Sequence, residues 1–153
     1  MTPVLLSVRH IQQRNPGECL AVCAAMVLDY MGLDVDYARL LQLLRITEDG
    51  TLFSYIREIE KLGVSVIYKQ GTLAEIHEHL SNDRPCIALV ATGELPYWNE
   101  DTDHALVVVG PNDQHVYVND PGAETAPIAV THGDFDLAWL ARDELYATFL
   151  RRE

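Results

Sequence analysis

The sequence predicts an α+β fold, with a helical first part packed on a C-terminal antiparallel β-sheet. Apolar residues recur at helical spacing mainly in the first half of the chain, and short β-rich runs separated by turn-forming residues dominate the second half. No internal repeat or low-complexity segment interrupts this order. With 153 residues, of which 48% are hydrophobic, the chain can bury one sizeable core, so we expect residues 1–153 to form a single domain.

The first predicted helix is the most strongly marked element. Asn15 is a suitable N-cap, Pro16 suits the first helical position, and Glu18 stands where a capping box places an acidic residue. Residues 20–28 are apolar on nearly every face, and Gly32 ends the pattern. The sequence therefore predicts a helix buried in the middle of the domain.

The remaining elements follow from periodicity and capping signals. Helical spacing covers residues 36–44 and 51–62, and a further helix over 73–80 begins after Thr72 as its N-cap. Strands are expected over 64–68 and 86–91, and a short helix from Asp134 stands between strand candidates at 127–130 and 145–150.

Two β-rich runs, 104–109 and 115–120, are separated by a turn-forming cluster at 110–114 and predict a hairpin. If Val109 pairs with His115, then His104 pairs with Asp120. Directly opposed residues on one face of a sheet have Cβ atoms about 4.5–5.5 Å apart, which suits a hydrogen bond from an imidazole to a carboxylate. A slip of one residue would put the two side chains on opposite faces.

Cys19 lies in the first turn of the predicted helix, where free backbone N–H groups and the helix dipole favour a thiolate. Taken singly, Cys19 is compatible with an ordinary core residue, His104 with a surface or core residue, and Asp120 with a turn residue. Together they have the layout of a thiol nucleophile, an imidazole base and a carboxylate that orients the base. The chain is therefore interpreted as a thiol hydrolase.

The composition limits the partners. With 23 acidic and 11 basic residues, the net charge is −12, which disfavours nucleic acid and anionic membranes. This charge either steers a basic peptide to the protein or serves solubility. We find no apolar run long enough for an integral membrane segment and no signal-peptide pattern, and three cysteines without paired spacing argue against a disulfide scaffold. We expect a cytoplasmic protein.

Metal chemistry is the least favoured alternative. Cys19 and Cys23 share a helix face, and residues 77–79 read His-Glu-His, but neither has the spacing of a zinc site. We therefore expect no metal and no other cofactor. Cys23 and Cys86 are interpreted as core residues.

The acidic loop at residues 94–103 leads directly into His104 and carries two adjacent aromatic residues, Tyr97 and Trp98. Exposed aromatic side chains beside a catalytic residue commonly wall a substrate groove. Tyr97 and Trp98 are therefore candidate substrate-binding residues. The alternative is that they only hold the loop in place.

The ordered motifs resemble the peptidase C39 family, the papain-like cysteine peptidases best known as leader-peptide-cleaving domains of bacteriocin exporters. The matching stretches are Gln13 six residues before Cys19, Glu18 directly before it, the tyrosine-containing stretch 29–32, the segment 50–63, His104, the run 119–121, and the aromatic pair Phe135 and Trp139. The resemblance thus spans nearly the whole chain.

This resemblance implies a papain-like fold and a role for each matching residue. Cys19 would be the nucleophile, His104 the general base and then acid, Asp120 the orienter, and Gln13 the oxyanion donor. Gln12 is an adjacent competitor, although the spacing favours Gln13. The resemblance also implies cleavage of a leader peptide after small residues such as Gly-Gly, in association with an exporter.

Two departures and two other functions stay open. Leu20 follows the nucleophile where the family usually has glycine, and the chain has no exporter-type membrane or ATPase segment. The same triad also serves a papain-like acyltransferase or amide hydrolase acting on a small molecule or a protein side chain. A peptide-binding module with a vestigial site is the third alternative. The sequence does not fix the oligomeric state.

Overall fold

The computed structural model describes residues 1–152 and confirms the α+β fold. Four α-helices and six strands follow one another along the chain: α1 Cys19–Tyr30, α2 Tyr37–Leu43, β1 Val64–Gln70, α3 Leu73–Ser81, β2 Cys86–Ala91, β3 Asp103–Pro111, β4 His115–Asn119, β5 Ile128–Thr131, α4 His132–Leu140 and β6 Leu145–Arg151. Two 3₁₀ helices, Phe53–Leu62 and Thr92–Glu94, complete the elements.

The six strands form one antiparallel sheet in the order β1-β6-β2-β3-β4-β5. Side chains alternate between its two faces, as the period of a strand requires. On β3, Ala105 and Val107 join the core beneath α1, whereas Leu106 and Val108 join a second core with α3 and α4. Helices therefore cover both faces, and β3 is apolar from Ala105 to Val109, where it is buried on both sides.

Helix α1 is the buried central helix that the sequence predicts, and it packs against β3, β2, α2 and the longer 3₁₀ helix. Its predicted start at Asn15 is wrong, because the helix begins at Cys19 with Glu18 as its cap. Gly17 adopts a left-handed backbone, φ +81°, which interrupts any helix before it. The Glu18 carboxylate accepts a hydrogen bond from Tyr37 Oη at 2.7 Å, so it does not fold back to cap the chain at residue 15.

The predicted hairpin exists, but its register differs from the expected one by two residues. Val107 pairs with Asn119 and Val108 with Val118, so a continued ladder would set Asp120 opposite Leu106. Strand β3 runs on to Pro111, and a bulge at position 109 absorbs one extra residue. Because the shift is an even number, His104 and Asp120 keep the same face of the sheet.

Most other elements lie where they are predicted, with differences in helix type or in the first residue. The Thr72 side chain accepts a hydrogen bond from the Glu75 backbone N–H at 3.2 Å, as an N-cap does. The expected helix over 51–62 is a 3₁₀ helix that ends before Gly63, whose φ is +94°. The helix expected from Asp134 begins earlier, at His132, with Thr131 as its cap.

The N-terminal segment, residues 2–13, has no counterpart in the predicted elements. Its Leu6 N–H donates to Val109 O at 2.8 Å, where β3 extends beyond β2, and its Val8 carbonyl accepts from Asn119 Nδ2 at 2.9 Å. A Cβ atom on Gly110 would lie 2.1 Å from Val4 O, so only glycine permits this approach. The segment therefore runs along the hairpin toward residue 120.

Within residues 1–152, no helix is both long enough and apolar enough to cross a membrane.

We predict that Gly17→Ala destabilises the protein more than Gly63→Ala does. Both glycines have positive φ, which costs an alanine about 1–2 kcal/mol. At Gly63 an added Cβ meets open space, but at Gly17 it would lie 2.2 Å from Thr47 O, so overpacking adds a further ~1–3 kcal/mol. Urea unfolding of both variants measures the difference, and equal losses of stability would contradict the predicted clash.

Candidate active site

Cys19, His104 and Asp120 lie at the ends of three regular elements. Cys19 is the first residue of α1, His104 is the second residue of β3, and Asp120 directly follows β4. The Asp120 side chain is fully buried and that of His104 is 5% exposed, whereas Cys19 is half-buried. The three residues are therefore brought together, and Cys19 is the most exposed of them.

The Asp120 carboxylate accepts four hydrogen bonds, two on each oxygen. Oδ1 accepts from His104 Nε2 at 2.6 Å and from the Gly122 backbone N–H at 2.8 Å. Oδ2 accepts from Tyr97 Oη at 2.7 Å and from Trp98 Nε1 at 2.9 Å. Burial raises the Asp120 pKa, but the hydrogen bond and charge of His104, together with the two aromatic donors, lower it by more. The carboxylate is thus held in its ionised form.

The imidazole of His104 lies between this carboxylate and the thiol. Burial alone lowers the His104 pKa, but the hydrogen bonds and negative charges of Asp120 and Cys19 raise it to about 9. Since Nε2 bonds to Asp120, Nδ1 is the ring nitrogen left for Cys19. The Trp98 ring packs on the imidazole, with ring centroids 4.7 Å apart and planes tilted by 58°.

Among the three cysteines, the environment favours the thiolate at Cys19. Burial raises the Cys19 pKa, but the hydrogen bond and charge of His104 and the backbone N–H groups of Ala105 and Leu20 lower it overall. Burial raises the pKa of Cys23 well above its ordinary value and that of Cys86 to about 12. All three thiols are free. Only Cys19 therefore combines partial exposure with a depressed pKa, as a nucleophile requires.

Gln13 is anchored beside the triad through its main chain. Its backbone N–H donates to Pro121 O at 2.8 Å. Its side-chain Nε2 donates to Asn15 O at 3.2 Å, and its buried Oε1 has no hydrogen-bond partner. The neighbouring Gln12 is exposed. The Gln13 amide thus lies in the segment that leads to α1, and its side-chain donor is on a main-chain carbonyl.

The structure adds two partners of Asp120 that the sequence analysis does not name. His10 Nε2 lies 2.7 Å from the Asp120 carbonyl oxygen, so the N-terminal segment contacts the site at two points. Gly122 donates to Asp120 Oδ1 in an Asx turn. The run Asp120-Pro121-Gly122 signals that turn in the sequence, whereas nothing in the sequence signals His10.

Tyr97 and Trp98 lie against the triad. Each uses its one side-chain N–H or O–H group to bond Asp120, and both side chains are half-buried. Their loop is held by Thr92, whose Oγ1 donates to Glu100 O at 2.6 Å and accepts from the Thr102 N–H at 2.9 Å. The predicted role of these aromatic residues in binding substrate stays a prediction.

A cleft of about 460 Å³ opens at Cys19 and is lined by residues from five parts of the chain. Leu20 and Phe53 supply apolar lining, and Gly17 and Gly50 supply backbone. Acidic side chains dominate its charge: Asp49, Asp101 and Asp103 are among the lining residues with Arg142, which forms an ion pair with Asp103. Tyr97 and Trp98 are not among the lining residues.

The histidines singled out as metal candidates have separate partners. His77 Nε2 contacts Thr2 O at 2.7 Å, and His79 Nε2 contacts Tyr146 Oη at 3.0 Å. Within residues 1–152, no group of three or more histidine, cysteine, aspartate or glutamate side chains is placed to hold a metal ion.

We predict that iodoacetamide modifies Cys19 of the native protein in preference to Cys23 and Cys86. Because His104 lowers the Cys19 pKa, modification should remain fast well below the pKa of an ordinary thiol, roughly 8.5. Mass mapping over pH 5–9 measures the rate at each cysteine.

His104→Ala is the control for this experiment. Without the imidazole, the onset of Cys19 modification should move up toward that of an ordinary thiol. Equal labelling of the three cysteines, or an unchanged onset in His104→Ala, would show that the thiol is not activated as described.

Comparisons with known proteins agree with this geometry. The profile of the peptidase C39 family matches residues 7–142. A C39-like peptidase from Bacillus anthracis superposes with a TM-score of 0.83 at 18% identity, over 100% of both chains. A double glycine motif protease from an AMS/PCAT transporter, solved in complex with the leader peptide, gives a TM-score of 0.77 at 19% identity over 99% of each chain.

A third structure, the peptidase domain of Streptococcus ComA, a bifunctional ABC transporter involved in quorum sensing, has a TM-score of 0.76 and 18% identity over 95% of this chain and 99% of that one. No curated protein sequence matches this chain significantly. Because the family profile covers most of the chain and the solved C39 domains share its fold, the chain belongs to the peptidase C39 family and is a cysteine peptidase.

Proposed function

We propose that this peptidase removes a leader peptide by cleaving after small residues such as Gly-Gly, with Cys19, His104, Asp120 and Gln13 as its catalytic residues. The observation that carries the proposal is the coupled set at the cleft, in which buried Asp120 bonds His104 at 2.6 Å and His104 lowers the pKa of Cys19. The similar structures include a double glycine motif protease, which motivates the choice of cleavage site.

The acylation step follows from the positions of these groups. The Cys19 thiolate attacks the scissile carbonyl carbon, and the carbonyl oxygen becomes an oxyanion. The Cys19 backbone N–H at the start of α1 and the Gln13 side-chain amide stabilise that oxyanion. Gln13 leaves its bond to Asn15 O to do so. The imidazolium of His104 then gives its proton to the leaving amine as the C–N bond breaks, and an acyl-enzyme remains on Cys19.

The deacylation step reverses the role of the imidazole. His104, now neutral, takes a proton from water, and the resulting hydroxide adds to the thioester carbonyl. Collapse of the second tetrahedral intermediate breaks the C–S bond and releases the leader fragment as a carboxylic acid. Asp120 holds the ring in one tautomer throughout and stabilises its charged form.

The cleft motivates the proposed peptide substrate, and the similar structures motivate the proposed exporter partner. Residues from five parts of the chain line the opening at Cys19, which suits an extended peptide. The structures that resemble this chain include peptidase domains of transporters, so association with an exporter is part of the proposal. We place the activity in the cytoplasm, where the Cys19 thiol stays reduced.

We predict that the wild-type protein cuts peptides containing a Gly-Gly motif, while Cys19→Ala cuts none. A diverse peptide library analysed by mass spectrometry gives the cleavage sites, and intact mass detects the acyl-enzyme on Cys19. Cys23→Ala is the matched control, since it removes a thiol that lies one turn further along α1 and is fully buried. This variant should cut the same peptides as wild type.

The library experiment also tests the alternatives. If small thioesters or amides acylate Cys19 while no peptide is cut, the activity is an acyl transfer or amide hydrolysis on another substrate. If neither class of compound reacts and peptides bind without being cut, the result favours a peptide-binding module. Cleavage at sites without small residues would retain the peptidase but refute the Gly-Gly preference.

We further predict that Gln13→Ala lowers kcat by about 10²–10³, the usual cost of losing an oxyanion donor. Gln12→Ala is the matched control, because Gln12 is the adjacent amide and is exposed. Its kcat should match that of wild type. Steady-state kinetics on a cleaved peptide decide the matter, and equal effects of the two substitutions would remove Gln13 from the catalytic set.

A further inference from the structure

We propose that Tyr97 and Trp98 are positioning residues that fix the Asp120 carboxylate so that its Oδ1 stays aimed at His104 Nε2. This inference rests on the proposed function of the triad. It replaces the expectation that these aromatic side chains bind substrate.

The geometry of the carboxylate supports this role. The Asp120 carboxylate is free to rotate about its last C–C bond unless both oxygens are held. Tyr97 Oη and Trp98 Nε1 converge on Oδ2 at 2.7 and 2.9 Å, while His104 and the Gly122 N–H occupy Oδ1. Rotation out of this plane would break the bonds on Oδ2 and turn Oδ1 away from the imidazole.

The fit around Trp98 indicates a dedicated contact. Its ring packs on the imidazole of His104 at 4.7 Å between centroids. A Cβ at Gly122 would lie 2.9 Å from Cζ2 of the indole, so only glycine leaves room for the ring. The backbone N–H of Trp98 also donates to the carbonyl of Leu95, which is itself buried. Trp98 thus shields the pair, and the Asp120 side chain is fully buried although it lies at the end of the sheet.

The same contacts leave these residues little to offer a substrate. Tyr97 and Trp98 each have one side-chain donor, and each donates it to Asp120. Neither lines the cleft at Cys19. A residue that binds substrate uniformly affects KM when it is removed, whereas a residue that positions the catalytic base affects kcat. The two roles therefore predict different kinetics.

The test uses Tyr97→Phe and Trp98→Phe, which remove one donor each and keep an aromatic ring. We expect kcat on a cleaved peptide to fall by roughly tenfold in each variant, since a hydrogen bond to a charged group is lost, with KM within about twofold of wild type. Tyr117→Phe is the matched control. It removes a tyrosine hydroxyl on β4 that accepts a hydrogen bond from Asn112 Nδ2 at 3.2 Å, and it should leave kcat unchanged.

A second readout needs no peptide turnover. Because His104 lowers the Cys19 pKa and Asp120 holds that imidazole in place, a loosened carboxylate should weaken this effect, and the acid limb of Cys19 alkylation by iodoacetamide should move up by about one pH unit in both variants. The other titratable groups around Asp120 also bear on this limb: His104, Cys19, Tyr97 itself, Cys23 on α1, and His10 at the Asp120 carbonyl. All of them except Tyr97 are unchanged in both variants, and Tyr97 is unchanged in Trp98→Phe.

The outcomes separate the inference from the function on which it rests. A raised KM with unchanged kcat would overturn the positioning role in favour of substrate binding, and an unchanged alkylation profile would overturn it as well. If wild type cuts no peptide, the proposed function fails, but the alkylation arm still tests the contact with Asp120. Proton NMR of the His104 Nε2–H confirms that each variant is folded, and faster exchange of this proton with water is the expected result.

Discussion

The hydrogen bond between His104 and Asp120 is the constraint around which the irregular parts of this fold are arranged. A carboxylate buried without partners costs far more than the marginal stability of a domain allows, so its charge must be met by donors. Those donors come from the start of β3, from the turn after β4 and from the loop at 94–103. An asparagine at position 120 would place its NH₂ group against two of these donors. The site therefore requires a carboxylate there, and an amide of the same size does not suffice.

The sequence predicts the face of each triad residue better than its register. Alternating burial fixes which side of the sheet a strand residue occupies, so an error of two residues in the hairpin leaves His104 and Asp120 together. The bulge at Val109 has no sequence signal, because it depends on how far β3 extends before it turns. The start of α1 was predicted wrongly for a similar reason. The left-handed backbone at Gly17 is set by the packing of the 47–50 turn against it, which local capping preferences do not encode.

Long-range contacts account for the other differences. The donors of Tyr97 and Trp98 reach Asp120 from more than twenty positions away, and no spacing rule relates them. Local sequence predicts the layout of Cys19, His104 and Asp120, and the resemblance to a family adds Gln13, but neither predicts these supports. What local sequence does predict is the chemistry at Cys19, since any residue at the first position of a buried helix meets free N–H groups and a favourable dipole.

The N-terminal segment joins the two halves of the proposed catalytic arrangement into one hydrogen-bonded unit. Gln13, the proposed oxyanion donor, bonds the carbonyl of Pro121, the residue next to Asp120, and His10 contacts the Asp120 carbonyl itself. A displacement of the turn at residues 120–122 would therefore move Asp120, which supports the base, and Gln13, the proposed oxyanion donor, together. Since catalysis requires both groups to be placed to within a fraction of an ångström, a shared main-chain anchor keeps them in register with each other as well as with Cys19.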